Sequence, residues 1–229
     1  MGACCISDRA SRWRGAAALV AALALVLVLA LLQRWGILTP VNHMLMAAAG
    51  RARDTVIGGP VTPLMQAASL LGGTTGRLTI LAFAAILLTL FGRVRVALWL
   101  VVVVLGGALL NLALKQVFAA PRPDLLPHLD IVHTYSFPSG HAAGNLILFG
   151  ALAMAGGRGA GWAAAIPCIV VIGISRVWLG VHWPNDVAAG WIEGTGWLLF
   201  CAAWRPMLDS GGRAAYRAGA GAKDGEWRA

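Results

Sequence analysis

Residues 15–32 read GAAALVAALALVLVLALL, eighteen consecutive positions without a charged or polar side chain, and arginines flank the stretch on both sides. A helix of about 20 apolar residues crosses the hydrocarbon core of a bilayer, so this stretch predicts a membrane-spanning helix. A cleavable signal peptide also combines arginines with an apolar run, but its run is about 7–15 residues long and ends at a small-x-small site. Gln33-Arg34-Trp35 follows here instead, which favours a retained anchor.

The composition of the 229-residue chain indicates the same class of protein. Hydrophobic residues make up 59% of the chain and charged residues 12%, against about 25% charged residues in soluble globular proteins. The net charge of +9 does not predict nucleic-acid binding, because the basic residues separate apolar runs and do not gather on one face. No metal-ligand spacing is found among the four cysteines, Cys4, Cys5, Cys168 and Cys201.

Further uncharged apolar runs predict an all-α fold, a bundle of six transmembrane helices. After the first, these runs lie at 78–92, 96–114, 142–157, 159–175 and 187–204. The first loop, 35–77, is expected to hold short interfacial helices. One is predicted at 43–56 and is broken by Gly58-Gly59-Pro60, and another is predicted from Gln66 to Gly73.

The distribution of basic residues predicts the orientation, because lysine and arginine are in excess on the cytoplasmic side. With a cytoplasmic N-terminus, eleven of the eighteen basic residues lie inside, in 1–14, the turns at Arg93/Arg95 and Arg158, and the tail from Arg205. We therefore expect a multi-pass protein of the cytoplasmic (inner) membrane with both termini inside.

This orientation also predicts the division of the chain. The expected parts are a cytoplasmic N-terminus at 1–14, a six-span domain at 15–205 and a tail at 206–229. The tail is rich in glycine, alanine and charge, and we expect it to be disordered. The sequence makes no prediction of oligomeric state.

Three polar clusters stand where apolar runs end, and all face the predicted non-cytoplasmic side. They are Lys115 with Arg122-Pro123, then Pro138-Ser139-Gly140-His141, then Ser175-Arg176 with His182 and Asp186. Charges are costly in hydrocarbon, so ionisable residues grouped at helix ends indicate chemistry. Three cations suit the binding of a phosphate, since Arg and Lys bind phosphate oxygens and neutralise charge in the transition state.

His182 and Asp186 are four residues apart, so the carboxylate can fix the tautomer of the imidazole and leave its other nitrogen basic. This is the relation expected between a nucleophile and its orienting group. In the second cluster, Ser139 and Gly140 precede a helix and can bind an anion at its N-terminus. His141 can then protonate a leaving oxygen.

Zinc is the rival chemistry, with His141, His182 and Asp186 as ligands, but three adjacent cations oppose a divalent metal. No metal or other cofactor is therefore expected. Asn111 shares a helical face with Lys115, and Asn145 shares one with His141, so each is either a supporting hydrogen-bond partner or glue between helices.

Other polar residues receive weaker predictions. Glu193 lies on the face of Asp186 and is expected to point into the bundle, in a structural or a functional role. His128 and His133 belong to the loop 124–137, where we expect solvated or substrate-gating side chains. His43 is expected at the interface.

Taken together, the clusters resemble the type 2 phosphatidic acid phosphatase superfamily, whose signature is Lys-x6-Arg-Pro, Pro-Ser-Gly-His and Ser-Arg-x5-His-x3-Asp. The chain carries all three parts without a departure, and the close match covers residues 111–190, the expected catalytic core. The resemblance implies metal-independent hydrolysis through a phosphohistidine on His182. Asp186 would orient that histidine, and His141 would protonate the leaving group and then help to activate water. Phosphate would be bound by Lys115, Arg122, Ser139, Gly140 and Arg176.

The resemblance also implies a class of substrate, a membrane lipid phosphate or diphosphate at the outer face of the cytoplasmic membrane. Undecaprenyl diphosphate is the favoured substrate, from family frequency alone, with phosphatidic acid, phosphatidylglycerol phosphate and lipid A as alternatives. Two further hypotheses keep the anion site: a vanadate haloperoxidase, which six spans oppose, and a non-enzymatic lipid head-group transporter, which has no use for an oriented His182.

Overall fold

The computed structural model describes residues 2–156 and 159–204, and in those ranges the secondary structure is entirely helical. The helices are α1 (Gly2–Arg34), α2 (Thr39–Arg53), α3 (Gly58–Gly72), α4 (Thr74–Leu90), α5 (Val94–Phe118), α6 (Gly140–Gly156), α7 (Gly159–Trp178) and α8 (Pro184–Ala202). The all-α prediction is thus confirmed over the described ranges. The turn predicted at Arg158 and the disorder predicted for 206–229 lie outside them.

Each apolar run of the sequence falls on one of the helices α1 and α4 to α8. By length and composition, α1 from Arg9, α5 and α7 can cross a membrane, and α3 with α4 forms a fourth candidate that bends by 56° at Gly73. α6 is apolar but shorter. Among the described residues the structure therefore has three or four candidate spans.

The first loop differs from its prediction in where the chain breaks. The predicted helix 43–56 corresponds to α2, which ends at Arg53, and residues 54–57 separate it from α3. Gly58-Gly59-Pro60 is therefore the first turn of α3 and not a break, since proline is tolerated where backbone N–H groups have no partner within the helix. The short helix predicted from Gln66 is the second half of α3.

Large apolar side chains cover the outside of the long helices. On α5, Leu98, Val102 and Leu109 are each more than 60% exposed, and Phe83 on α4 and Ile166 on α7 are also exposed. Soluble proteins rarely expose apolar surface over so many helices. With the apolar helices, this surface indicates a multi-pass membrane protein.

The core brings four helix ends to one end of the bundle. α8 packs between α1 and α6, and α6 packs against α5 and α7. Buried side chains of α4, α5, α6 and α8 form the main cluster, including Leu81, Leu100, Leu148 and Leu198. The C-terminal ends of α5 and α7 consequently lie beside the N-terminal ends of α6 and α8, and the N–H of Ser139 donates to the carbonyl of Asp186 at 3.0 Å.

Candidate active site

His182 lies in the short connection between α7 and α8 and is buried. Its Nδ1 is 3.3 Å from Oδ2 of Asp186, and its Nε2 is 3.3 Å from Nη1 of Arg122. A guanidinium group can only donate, so Nε2 is the acceptor and the proton belongs on Nδ1, facing the carboxylate. The contacts therefore select the tautomer whose Nε2 carries a lone pair.

Asp186, which the sequence pairs with His182, is held by a residue that the motifs omit. Ser136 Oγ donates to Asp186 Oδ2 at 2.5 Å and lies 3.3 Å from His182 Nδ1. The N–H of Trp183 donates to the same carboxylate oxygen at 2.9 Å. We call His182, Asp186, Ser136 and Arg122 the His182 cluster, and its contacts fix both the carboxylate and the imidazole.

The environment of His182 favours its neutral form. Burial lowers the pKa of His182 well below its ordinary value, and the charges of Arg122, Lys115 and Arg176 lower it further. Burial also lowers the pKa of Arg122, to about 10, so this guanidinium stays charged near neutral pH. At neutral pH the cluster therefore pairs an uncharged imidazole with a cation.

Lys115 and Arg122 are bound by backbone carbonyl oxygens of the two connections, between α5 and α6 and between α7 and α8. Lys115, buried at the end of α5, donates to the carbonyls of Tyr135 and Ser136. Arg122 donates to the carbonyl of Thr134 at 2.9 Å and to that of Val181 at 2.6 Å. Phosphate oxygens are acceptors of the same kind, so both cations have their N–H groups aimed at positions that an oxyanion can take over.

The third cation, Arg176, makes an ion pair that the sequence did not predict. Its Nη1 is 2.5 Å from Asp130 Oδ2, and it also donates to the hydroxyl of Ser69 on α3. Ser69 Oγ donates to the same Asp130 oxygen at 2.8 Å, while its carbonyl lies 3.2 Å from Nε2 of His141. Arg176, Asp130, Ser69 and His141 form the Arg176 cluster.

The segment Pro138 to His141 enters α6 under tight packing. A Cβ at Gly140 would lie 2.9 Å from Asn111 Oδ1, and one at Gly190 on α8 would lie 2.5 Å from the carbonyl of Ser139. Ser139 is fully buried, and its Oγ is 3.5 Å from the N–H of Ala142. A Cβ at position 190 would clash with backbone, so glycine there lets α8 approach the segment closely, whereas a Cβ at position 140 would require the Asn111 side chain to shift.

The three supporting residues predicted from the sequence all make buried hydrogen bonds. Asn111 Nδ2 donates to Glu193 Oε2 at 2.8 Å, so Glu193 points into the bundle as expected. Asn145 Nδ2 donates at 2.8 Å to the carbonyls of His141 and Gly72, which ties α6 to the end of α3. Each of these bonds joins different helices or fixes the start of α6.

Four residues at the site escaped the sequence motifs: Ser69, Arg77, Asp130 and Ser136. Arg77 on α4 donates at 3.0 Å to the carbonyls of Gly72 and Gly140. For Ser136 and Asp130 the available signal was their place, a hydroxyl two residues before Pro138 and a carboxylate inside the connecting loop. Ser69 and Arg77 carried no signal beyond being polar within apolar sequence.

The remaining histidines lie apart from the two clusters. His43 stacks on Trp183 at a ring-centroid distance of 5.6 Å, His128 contacts the carbonyl of Pro123, and His133 is exposed. Over residues 2–156 and 159–204, no three His, Cys, Asp or Glu side chains come together as a metal-ligand set.

A cavity of about 530 Å³ lies beside the His182 cluster. Trp183 and Pro121, the chain neighbours of His182 and Arg122, form part of its wall. Its other lining residues are mainly apolar and come from α1 and the end of α5, with polar side chains from the start of α2; they include Leu27, Leu31, Phe118, Phe137, Asn42 and His43.

The family model described as the PAP2 superfamily matches residues 96–209, a range that includes all three sequence clusters. Undecaprenyl-diphosphatase BcrC of Bacillus subtilis is 32% identical over 146 residues, which cover 57% of this chain and 73% of that protein. An undecaprenyl-diphosphatase of Sulfolobus acidocaldarius is 42% identical over 72 residues, covering 29% of this chain and 31% of that protein. Apart from BcrC, the chain spans less than half of the length of the curated relatives that it matches here.

A solved structure agrees with the fold over most of the chain. The transmembrane PAP2-type phosphatidylglycerolphosphate phosphatase of Bacillus subtilis superposes with a TM-score of 0.71 at 25% sequence identity, covering 81% of this chain and 93% of that one. The predicted family is thereby confirmed. By its sequence relatives, its matched segment and its fold, the chain belongs to the PAP2 superfamily.

Proposed function

We propose that the chain is an integral membrane phosphatase that hydrolyses a lipid phosphomonoester or diphosphate. The observation that carries the proposal is the geometry at His182. One ring nitrogen faces a buried carboxylate, and the other is unprotonated and accepts from the guanidinium of Arg122, which would free the lone pair on turning to a bound phosphate. A transporter that only grips head groups has no need of an oriented, unprotonated imidazole.

In the first step, His182 Nε2 attacks the phosphorus and the bond from phosphorus to the lipid oxygen breaks. The leaving oxygen takes a proton from His141, whose charged form a bound phosphate dianion would favour. Lys115, Arg122 and Arg176 would bind the equatorial oxygens, with Ser139 and the backbone at Gly140 as further donors. Asp186 would stabilise the positive charge that develops on His182.

In the second step, water attacks the phosphohistidine. His141, now neutral, accepts a proton from that water, and the bond between phosphorus and His182 Nε2 breaks. Inorganic phosphate leaves, and His182 returns to its starting tautomer. Neither step needs a metal ion, because the cations neutralise the charge of the phosphoryl group, and we propose metal-independent hydrolysis.

The proposed arrangement in the membrane has six spans, α1 and α4 to α8, with α2 and α3 at the interface. Both termini would be cytoplasmic and the site would lie on the periplasmic or extracellular side of the inner membrane, as the positions of lysine and arginine favour. The six-span domain would occupy 15–205, with its catalytic core at about 111–190.

The lipid chain of the substrate would lie in the cavity beside Trp183. Its wall of Leu27, Leu31 and Phe118 is apolar, and it begins one residue from His182 and from Arg122. Candidate substrates are undecaprenyl diphosphate, phosphatidic acid, phosphatidylglycerol phosphate and lipid A. Three of these four substrates are named in the relatives: undecaprenyl diphosphate, lipid A and phosphatidylglycerol phosphate.

The test is phosphate release by purified protein in detergent with excess chelator, measured on this panel of lipids. Wild type is expected to turn over, His182→Ala to release nothing, and Lys115→Ala to bind substrate more weakly or react more slowly. His133→Ala is the matched control, because His133 is an exposed histidine of the connecting loop. Acid-labile phosphate trapped on wild type and missing from His182→Ala would report the intermediate.

Two results would contradict the proposal. Full activity in His182→Ala would remove the nucleophile, and activity that disappears with chelator and returns with zinc would remove the metal-free mechanism. Lipid binding by wild type without any phosphate release would favour the transporter.

A further inference from the structure

The Arg176 cluster contains an anion that belongs to the protein itself. Asp130 Oδ2 lies 2.5 Å from Arg176 Nη1 and accepts a hydrogen bond from Ser69. Partial burial would raise the pKa of Asp130, but the hydrogen bonds from Arg176 and Ser69 and the charge of Arg176 outweigh it, so the pKa lies below its ordinary value. The ionised carboxylate of Asp130 is therefore paired with Arg176, a cation that the phosphate needs.

The loop around Asp130 is fastened to the helices on both sides of the site. The N–H of Leu129 donates to the carbonyl of Leu179 at 3.0 Å, and Gln66 on α3 donates to the carbonyl of Leu129 at 3.3 Å. Arg53 on α2 donates to the carbonyl of Pro127 at 3.1 Å. When phosphate displaces the carboxylate from Arg176, the side chain can turn aside, but the anchored backbone keeps it next to the bound substrate.

Asp130 is also connected to His141, the proposed acid for the leaving oxygen. Ser69 connects it to His141, because the hydroxyl of Ser69 binds Asp130 and its carbonyl contacts His141 Nε2. In an in-line displacement, the leaving oxygen is opposite the attacking nitrogen. His182 attacks from one side and His141 serves the leaving oxygen on the other, so Asp130 faces the leaving group.

The charge of the leaving group then separates the two classes of lipid substrate. A phosphomonoester releases an alcohol, which is uncharged and can donate a hydrogen bond to a carboxylate. A lipid diphosphate releases a lipid monophosphate, whose negative charge would lie beside Asp130. Like charges at such a distance repel, and partial burial screens them less than open solvent does.

We propose that Asp130 is a specificity-determining residue, which competes with the substrate for Arg176 and selects lipid phosphomonoesters over lipid diphosphates. The inference rests on the proposed function and narrows its substrate class. Within that class, it ranks phosphatidic acid, phosphatidylglycerol phosphate and the phosphate of lipid A above undecaprenyl diphosphate.

The experiment compares wild type with Asp130→Asn on a monophosphate and a diphosphate of the same isoprenoid chain. Asparagine has the shape of aspartate without its charge. The kcat/KM for the diphosphate is expected to rise about tenfold and that for the monophosphate about threefold, with the gain mainly in KM. Asp124→Asn is the matched control, since it removes the same charge from an exposed position of the same loop and should leave both values unchanged.

The proposal would be overturned if the kcat/KM values for both substrates changed equally or did not change. It would also be overturned if activity on both were lost, since Asp130 would then only anchor the loop. A second measurement keeps this result separate from the proposed function. Inorganic phosphate binding, followed by calorimetry without turnover, should tighten in Asp130→Asn and stay unchanged in Asp124→Asn. If wild type hydrolyses no lipid phosphate, the proposed function fails, while tighter phosphate binding in Asp130→Asn would still support the competition for Arg176. Unchanged phosphate binding would refute it.

Discussion

The two halves of the site differ in where their contacts come from. In the His182 cluster, three of the four members are motif residues: His182 between α7 and α8, Asp186 in α8 and Arg122 just beyond α5. The hydrogen-bonded atoms within the cluster are 3.3 Å or less apart. In the Arg176 cluster, the side chains of the two motif residues, Arg176 and His141, contact Ser69 of α3 and Asp130 of the loop. Motif residues make up most of the first cluster, whereas residues of α3 and of the loop between α5 and α6 complete the second.

This difference separates chemistry from selectivity. A nucleophile such as the one proposed here would need one fixed tautomer and one orientation whatever the lipid. In the proposed mechanism the opposite half would meet the head group, and side chains from the loop and from α3 could change there without disturbing His182. A comparison of the two carboxylates, Asp186 and Asp130, tests this division directly.

The largest expected effect is that of Asp186→Asn. An amide at position 186 can present its NH2 group to Nδ1 and favour the tautomer with the proton on Nε2, which removes the attacking lone pair. We expect kcat to fall by about 10³-fold with little change in KM. Steady-state phosphate release measures it, and retained binding of inorganic phosphate would show that the variant is folded.

The same isosteric change at Asp130 is the counterpart, because there it should increase activity. If Asp186→Asn and Asp130→Asn lowered kcat equally, the two halves would have the same role and the division between chemistry and selectivity would be wrong.

Ser136→Ala is expected to lower kcat by about tenfold, because its hydroxyl donates to Asp186 and lies beside His182 Nδ1. The matched variant is Ser175→Ala. Ser175 belongs to a motif, but its Oγ donates to the carbonyl of Ile172 in its own helix, so its loss should change kcat less than twofold. Kinetics of both variants decide whether contacts or motif membership predict function, and a greater loss in Ser175→Ala would favour the motif.

The sequence predicted the His182 cluster better than the Arg176 cluster. Lys115 ends one apolar run, His141 begins the next, Ser175-Arg176 ends another and Asp186 begins the last, so in an alternating bundle these four ends fall on one surface. That reasoning placed His182, Asp186, Lys115 and Arg122 together without coordinates. It also gave the helical class, since uninterrupted apolar runs have few other structures in a bilayer.

The rest depended on contacts between segments without a periodic pattern. Asp130 and Ser136 lie in a connection that has no helix or strand, so no spacing rule relates them to Arg176 or Asp186. The end of α2 was misplaced for a local reason, because a proline in the first turn of α3 reads in sequence as a helix break.

A titration of the imidazole of His182 would test its protonation state in the His182 cluster. Burial and the charges of Arg122 and Lys115 lower its pKa, so the ring stays neutral as pH falls through its ordinary range near 6.5 and protonates only well below it. Nitrogen NMR of labelled protein without phosphate should show one neutral tautomer from about pH 5.5 to 7.5. In Arg122→Met the pKa of His182 should rise, because one of the charges that lower it is removed. An ordinary titration near 6.5 in wild type would contradict the assigned environment.

The smallest expected effect concerns the cavity, whose wall includes Trp183 and Pro121, the chain neighbours of His182 and Arg122. Leu31→Trp would fill part of it, whereas Val28→Trp places the same ring on a neighbouring exposed position of α1 that does not line it. If the lipid chain lies there, Leu31→Trp should raise KM about threefold for a long-chain phosphate and leave a short-chain soluble phosphate unaffected. Val28→Trp should change neither value. Equal effects on long and short substrates would place the chain elsewhere and reduce the cavity to a feature of packing between α1 and α5, while the chemistry at His182 would stand.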